Sequence, residues 1–343
     1  MADKKLEEEL EALAKAPGLS GMEGPVAQTL KSLVPGIESK EDSLGNLIMT
    51  KGKGEKKVMI CAHMDEVGLR VKYIDENGFL KFVTVGGIDT RILPASRIRI
   101  LSNRWIDGII GVKPIHRLKE EERKKAPKLE DLYVDVGAGS REGAETLGIE
   151  VGSPILFPDD FYSNGKVAMC KAIDDRVGCL ILARVMREVK AKDKVLYGVG
   201  SVQEEVGLKG ARTAAFSLSP DLAIVVDTTP AGDTPGFNEG DQPIKVGKGP
   251  VFGLAEGGGR GLITNERLLN MLKESAKKES IPYQLELGEG GMTDGAAVYI
   301  TKEGIPTCSV SIATRYLHTG FSLASWEDIE WAIKLLKRVI SDL

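Results

Sequence analysis

The chain has 343 residues, of which 42% are hydrophobic and 28% are charged, and its formal net charge is −4. A chain of this length can bury a large core and form more than one domain. It has no basic patch and no apolar run long enough to span a bilayer, so we expect neither nucleic acid nor a membrane as a partner. The charged amino terminus predicts a helix rather than a signal peptide, and we expect a cytoplasmic protein.

The first segment of the chain predicts two helices, a hairpin and a buried strand. Apolar residues at helical spacing predict helices over 3–15 and 24–34. The next residues, 37–52, predict a hairpin with glycine and asparagine near its turn. The apolar run 57–62 predicts a buried strand that places His63 at its carboxyl end.

The pattern changes between residues 68 and 164. Short β-prone segments are separated there by glycine and proline, which is typical of a small β-barrel or sandwich: 79–85, 97–101, 106–112 and 132–136. The charged run 117–130 within this region predicts a mobile surface loop.

From residue 165 the α/β pattern resumes. A helix is predicted from Asp174 onward and strands are predicted to end near Ser201 and Asp227, followed by a helix, a strand and a closing amphipathic helix at 265–279, 306–312 and 326–343. The sequence therefore predicts one discontinuous α/β domain, 1–67 with 165–343, that is interrupted by a β-rich insertion, 68–164.

The four cysteines are scattered along the chain and form no Cys-x-x-Cys pair. This spacing excludes a zinc knuckle and a thioredoxin-like motif. Each cysteine lies in an apolar stretch, so we predict four small buried hydrophobic side chains: Cys61, Cys170, Cys179 and Cys308.

Only three histidines occur in the chain, and two of them follow apolar stretches. In open α/β sheets, ligands bind beyond the carboxyl ends of the strands. Between these two histidines lie three acidic clusters, each close to a hydrophobic segment. Imidazoles and carboxylates without thiolates are typical of a catalytic divalent-metal site. The resulting ligand candidates are His63, Asp174, Glu205, Asp227 and His318.

Taken singly, each of these residues has an ordinary structural interpretation. A histidine at a strand end is often a satisfied polar residue, a Glu-Glu pair is usually surface charge, and an aspartate often caps a helix. Their order along the chain favours a site with two metal ions, which one carboxylate could bridge. Asp65 could fix the tautomer of His63, and Glu204 could act as general base. His116 adjoins the charged run, and we predict that it is not a ligand.

Five segments of the chain, in this order, resemble the M42 family of dinuclear metallo-aminopeptidases, which also includes proteins labelled endoglucanase. The resemblance spans nearly the whole chain and rests on the segments 63–68, 172–176, 203–207, 225–227 and 315–318. It implies a mixed central sheet flanked by helices, with an inserted PDZ-like β-barrel that pairs subunits. It also implies hollow tetrahedral dodecamers, and a loop at 117–130 that can reach toward a neighbouring subunit's site.

The resemblance also implies a role for each candidate residue. Asp174 would bridge two divalent ions, usually zinc or cobalt, and Glu204 would be the catalytic base with Asp65 as the orienting acid. The family releases amino-terminal residues from peptides. The remaining ligands would divide into two sets, His63 with Asp227 and Glu205 with His318.

Two departures from the family pattern and two alternative functions remain open. Gly320 stands where proline is usual, and Met292 lengthens a glycine-rich loop, so the expected substrate preference is open. A glycoside hydrolase typically uses two carboxylates without a metal, which would leave the histidines without a purpose. A non-catalytic self-assembling scaffold would not need a complete ligand set.

Overall fold

The computed structural model describes residues 3–343, and for Glu122 it describes the backbone only. The helices of this part of the chain are α1 Lys4–Lys15, α2 Gly24–Leu33, α3 Glu120–Arg123, α4 Arg141–Thr146, α5 Ile173–Glu188, α6 Lys209–Leu218, α7 Glu266–Glu279, α8 Gly295–Val298 and α9 Trp326–Asp342. The strands are β1 Glu38–Glu41, β2 Leu47–Lys51, β3 Lys56–His63, β4 Gly68–Ile74, β5 Leu80–Val85, β6 Arg97–Leu101, β7 Trp105–Gly111, β8 Tyr133–Asp135, β9 Pro154–Leu156, β10 Phe161–Ser163, β11 Val167–Cys170, β12 Lys194–Ser201, β13 Leu222–Pro230, β14 Val251–Ala255, β15 Gln284–Leu287, β16 Thr307–Arg315 and β17 Ser322–Ser325.

Helix α1 begins and packs as its sequence predicts. In α1, the Asp3 carboxylate caps the helix by accepting the backbone N–H of Lys5. Leu6, Leu10 and Leu13 lie on one buried face of the same helix. Full burial of a leucine contributes roughly 1.5–3 kcal/mol, so this stripe fixes α1 against α5 and α2. The predicted helices over 3–15 and 24–34 are confirmed.

The large sheet has eleven strands and mixed direction. Nine strands follow the order β1-β2-β12-β3-β13-β16-β17-β11-β10, and β14 and β15 continue from β16. The central strands β12, β3, β13 and β16 are parallel, whereas β1, β2 and β17 pair antiparallel with their neighbours in the sheet. Strand β14 is antiparallel to β16 and parallel to β15. The carboxyl ends of the four central strands therefore meet at one edge, as the sequence predicts.

Helices cover both faces of this sheet. One face packs against α1, α2, α5 and α9 through residues such as Leu10, Leu180 and Leu336. The other face packs against α6, where Ala214 contacts the cluster around Met59. The prediction of a mixed central sheet flanked by helices is confirmed.

Strands β4 to β9 form a separate closed barrel of six antiparallel strands in the order β4-β5-β8-β7-β6-β9. Alternate side chains fill it, among them Leu80, Ile100, Val134 and Ile155. The barrel confirms the predicted β-rich insertion as part of the fold. We propose two domains: residues 1–67 together with 165–343, and the inserted residues 68–164. At the end of the insertion, β10 returns the chain to the large sheet by pairing with β11.

The described part of the chain contains no helix that combines the length and the apolar character needed to cross a membrane. All four cysteines are buried and free, as predicted. The charged run contains α3, and whether this segment is mobile stays a prediction.

Candidate metal centre

The candidate ligands converge at the carboxyl edge of the parallel strands. His63 is the last residue of β3, and its register partner on the neighbouring β12 is Ser201. Asp227 lies within β13, next to β3 in the sheet. Asp174 lies in the first turn of α5, and His318 lies in the turn between β16 and β17. The structure therefore brings together residues from segments that are far apart in the sequence.

The His63 ring is held in a defined orientation. Its Nδ1 lies 3.1 Å from the backbone carbonyl oxygen of Asp65 and 3.4 Å from an oxygen of the Asp65 carboxylate. A proton on Nδ1 would be donated to this carbonyl, which leaves the Nε2 lone pair facing the acidic cluster. Nε2 lies 3.0 Å from Asp174 Oδ1 and 3.7 Å from Asp227 Oδ1. This is the arrangement expected of a metal-binding imidazole.

Asp174 lies between the two histidines. Its Oδ1 faces His63, and its Oδ2 lies 3.2 Å from His318 Nε2. The same His318 nitrogen lies 3.4 Å from Oε1 of Glu205. The two oxygens of the Asp174 carboxylate thus face different imidazoles, His63 on one side and His318 on the other.

These donor atoms fit divalent cations. Nitrogen and oxygen ligands at 2.0–2.1 Å from a tetrahedral ion lie about 3.4 Å apart, close to the 3.0–3.7 Å separations between the imidazole nitrogens and the carboxylates. In the part of the chain that the structure describes, two ligand groups are close enough to hold an ion: His63, Asp174 and Glu205, and His63, Asp175 and Asp227. Oε1 of Glu205 and Oδ2 of Asp175 are buried, and no described residue hydrogen-bonds either of them. Unpaired buried carboxylate oxygens are costly, and cations would satisfy them.

The shifted pKa values of the side chains in this cluster also favour bound cations. Burial lowers the pKa of His318, but the neighbouring Asp174 and Glu205 carboxylates outweigh it and raise this pKa to about 9. Burial, together with the charge of Asp174, raises the pKa of Glu205 to about 7. Burial likewise raises the pKa of Glu204 well above its ordinary value. Carboxylates crowded in a dry site repel one another, and divalent cations would offset that repulsion.

Asp65 fixes the turn that carries both glutamates. Its Oδ1 accepts the backbone N–H of Glu204 at 2.9 Å, and its Oδ2 accepts that of Glu205 at 3.2 Å. The Ser20 hydroxyl donates to Oδ2 at 2.7 Å, and Asp65 is completely buried. Because the backbone carbonyl of Asp65 also contacts Nδ1 of His63, Asp65 connects the imidazole to the Glu204–Glu205 turn.

Several residues at this edge have strained backbone conformations. Ala172, Gln203, Tyr316 and His318 all have φ between 52° and 61° although none is glycine. Left-handed conformations of this kind cost free energy and concentrate at functional sites. Each of these residues lies at or beside a candidate ligand.

The sequence did not identify three further features. Asp175 approaches His63 and Asp227 as closely as a metal ligand would, although only its neighbour Asp174 was proposed as a ligand. Asp294 is buried beneath the site, and the Ser201 hydroxyl donates to its Oδ2 at 2.5 Å. Burial raises the pKa of Asp294 to about 6. In the sequence, only its position in a glycine-rich loop distinguishes Asp294 from other aspartates.

The third feature is a buried ion network next to the ligands. The Glu66 carboxylate accepts from Lys171 Nζ at 2.7 Å and from Arg176 Nη2 at 3.1 Å. Arg176 also donates to the backbone carbonyls of Leu13 and Met64. This network connects α1, the segment after His63 and the start of α5. His116, by contrast, is exposed and lies outside the cluster, and its exclusion as a ligand stays a prediction.

The mixed α/β sheet and the histidine–carboxylate cluster at its carboxyl edge are typical of metal-dependent α/β enzymes. The family model described as M42 glutamyl aminopeptidase matches residues 45–335. A relative from Acetivibrio thermocellus is 38% identical over 340 residues, covering 97% of this chain and 99% of the relative. The lysyl aminopeptidase of Pyrococcus furiosus is 34% identical, with 97% and 96% of the two chains covered. The chain belongs to the M42 peptidase family.

Solved structures of relatives have the same fold. An aminopeptidase of the archaeon Desulfurococcus kamchatkensis superposes with a TM-score of 0.93 at 35% identity, covering 99% of this chain and 95% of that one. The TET1 peptidase of Pyrococcus horikoshii, which can assemble into a tetrahedron or a large octahedral shell, superposes with a TM-score of 0.86 at 30% identity. That comparison covers 98% of this chain and all of the other.

Proposed function

We propose that this chain is a dinuclear metal-dependent aminopeptidase that hydrolyses amino-terminal residues from peptides. The observation that carries the proposal is the position of Asp174, whose two oxygens face the two imidazoles. Membership of the M42 family supports peptide hydrolysis as the reaction. The relatives named lysyl and glutamyl aminopeptidase support removal of a single amino-terminal residue.

We assign the ligands in two sets that share Asp174. His63 and Asp227 would hold one ion, and His318 and Glu205 the other, with zinc or cobalt as the expected metals because the donors are nitrogen and oxygen. Asp175 is a further candidate beside the first set. Two such cations would supply Lewis acidity toward the scissile carbonyl and a nucleophilic water at neutral pH.

Glu204 is the proposed general base. It is buried beside the ligands, and its pKa is raised by burial, so it can take a proton from the attacking water and donate it to the leaving amine. Its backbone is held by Asp65, which is the proposed orienting acid. A glycosidase needs only two carboxylates across a sugar, and it would leave the contacts of both histidines unexplained.

The proposed partners are peptides with a free amino terminus and further copies of this chain. We propose pairing through the barrel and assembly of the pairs into a tetrahedral dodecamer, which the tetrahedral and dodecameric TET1 structures support. Ile109 and Ile115, in the inserted region, are 54% and 68% exposed. Large exposed apolar side chains of this kind are typical of interaction surfaces. A scaffold without catalysis would show the same assembly but no turnover.

Substitution of the base tests this function. With zinc or cobalt bound, Glu204→Gln should lower kcat on aminoacyl amides on the order of 10²- to 10⁴-fold, because the amide cannot accept the proton. The metal content should stay unchanged, since Glu204 is not an assigned ligand. Glu55→Gln, at an exposed position, is the matched control and should keep normal turnover. Near-normal turnover of metal-replete Glu204→Gln would contradict the proposal.

A further inference from the structure

The two histidines of the site are held in different ways. The His63 side chain is 2% exposed, and its Nδ1 faces the carbonyl oxygen of Asp65. The His318 side chain is 35% exposed. Among residues 3–343, no side chain or backbone group hydrogen-bonds its Nδ1. Metal-binding histidines usually have their second nitrogen fixed by such a bond, so the His318 ring must be positioned by other contacts.

One of these contacts comes from the barrel. Gly86 and Gly87 directly follow the barrel strand β5. A Cβ added to Gly87 would lie 3.3 Å from His318 Nδ1, and one added to Gly86 would lie 3.4 Å from the Cβ of Glu205. The barrel backbone therefore packs directly against the ring of one candidate ligand and beside a second.

The second contact is to the turn that carries His318, residues 316–320, which we name the histidine turn. Phe157 follows the last barrel strand, β9, and belongs to the buried barrel core. A Cβ on Gly320 would lie 2.6 Å from the Phe157 ring, so only glycine leaves room for this ring. This packing gives a physical reason for glycine where the family pattern has proline. Phe157 also lines a small cavity together with Asp174, Glu205 and His318.

We propose that the inserted barrel is a positioning element of the metal centre, which holds the His318 ring through Gly87 and the histidine turn through Phe157. This inference rests on the proposed function, in which His318 and Glu205 hold one of two cations. It assigns Gly87, Gly320 and Phe157 a role in the affinity for that one cation. The cation assigned to His63 and Asp227 does not depend on the barrel, because His63 is fixed by its own hydrogen bond.

Metal titration of the full-length, metal-stripped protein tests this inference. Gly87→Val places a branched side chain against His318 and should weaken one of the two zinc-binding events by roughly 10- to 100-fold. The other binding event should be unchanged. Gly87→Ala should have a smaller effect. Gly240→Val is the matched control, because a Cβ at Gly240 meets no atom within 4 Å and its φ is not positive.

A compensating pair of variants separates positioning from a general loss of structure. Gly320→Ala should push against the Phe157 ring and weaken the same single binding event. Adding Phe157→Leu makes room for the new methyl group and should restore part of that affinity. Activity of Gly87→Val should also recover when zinc is raised above the weakened dissociation constant, which an unfolded protein would not do.

The outcomes distinguish the inference from the proposed function. Two zinc ions bound with wild-type affinities by both Gly87→Val and Gly320→Ala would overturn the inference and leave the proposed function standing. Equal weakening of both binding events would also overturn it, since the barrel would then act on the whole site. A wild-type protein that binds neither zinc nor cobalt would overturn the proposed function itself.

Discussion

At the scale of single residues, the site depends on contacts that fix the position of each functional side chain. Asp174 contacts both imidazoles, and Asp65 accepts the backbone N–H groups of Glu204 and Glu205. Asp65 is therefore the residue that sets the distance between His63 and the proposed base. Hydrogen-bond partners of metal ligands commonly determine metal affinity and activity nearly as strongly as the ligands themselves.

The substitution Asp65→Asn tests this role. An asparagine keeps the size of the side chain but replaces one accepting oxygen with a donor, so it loses the bond to Glu205 or to Glu204. We expect kcat/KM to fall roughly 10- to 100-fold, with the fold preserved. Asp75→Asn is the control, because Asp75 also accepts two backbone N–H groups but lies in a barrel hairpin. Equal activities of the two variants would contradict the assignment.

At the scale of elements, buried charges fix the relative positions of α1, β3 and α5. Arg176 is completely buried, and it contacts the Glu66 carboxylate, the nearby backbone carbonyl of Met64 and the carbonyl of Leu13 in α1. Lys171 completes the network with a 2.7 Å contact to Glu66. Removing one partner from a buried ion network leaves an uncompensated charge, which costs more than the loss of the contact alone.

The substitution Arg176→Met is therefore expected to lower the free energy of unfolding by about 3–5 kcal/mol. Urea unfolding followed by circular dichroism measures this change. Arg212→Met, on an exposed position of α6, should change it by less than about 0.5 kcal/mol. A loss below about 1 kcal/mol for Arg176→Met would show that the network contributes little to stability.

The elements also show what the sequence can and cannot predict. His63 was predictable because it is the last residue of the apolar strand β3, and ligands bind beyond the carboxyl ends of parallel strands. Asp227 was predictable because it follows an apolar run, although β13 does not end there as predicted but continues to Pro230. Glu66 and Lys171 lie 105 residues apart, and neither has a local pattern that indicates a partner. Asp294 and Gly87 depend in the same way on tertiary neighbours. Local periodicity predicts elements, but it carries no information about which side chains meet between them.

Gly320, which stands where the family pattern has proline, shows the same limit of prediction from sequence. From the sequence, Gly320 indicated only a looser turn and an open substrate preference. In the structure, the glycine makes room for Phe157, which comes from the barrel 163 positions earlier in the sequence numbering. The physical reason for a departure from a motif can therefore lie in another part of the fold.

At the scale of the whole molecule, the barrel stands apart from the main hydrophobic core and has its own. It carries exposed apolar side chains, and its loops also approach the metal centre. One inserted unit can thus serve both subunit pairing and the geometry of the site. In the proposed dodecamer, each copy of the chain would keep a complete ligand set.

Light scattering coupled to gel filtration measures the size of this assembly. A dodecamer of the 37.0 kDa chain has a mass of about 444 kDa, and a pair has about 74 kDa. Ile109→Asp with Ile115→Asp should lower the mass, because charged side chains are costly in an apolar interface. A wild-type protein that stays at the mass of a single chain at micromolar concentration would contradict the proposed assembly.

The central claim is that two cations share Asp174, and anomalous diffraction from zinc-loaded crystals tests it most directly. We expect two peaks per chain, one beside His63 and Asp227 and one beside His318 and Glu205, with an oxygen of Asp174 toward each. A single peak or none at this edge of the sheet, in crystals shown to contain zinc, would contradict the dinuclear site and the function proposed from it.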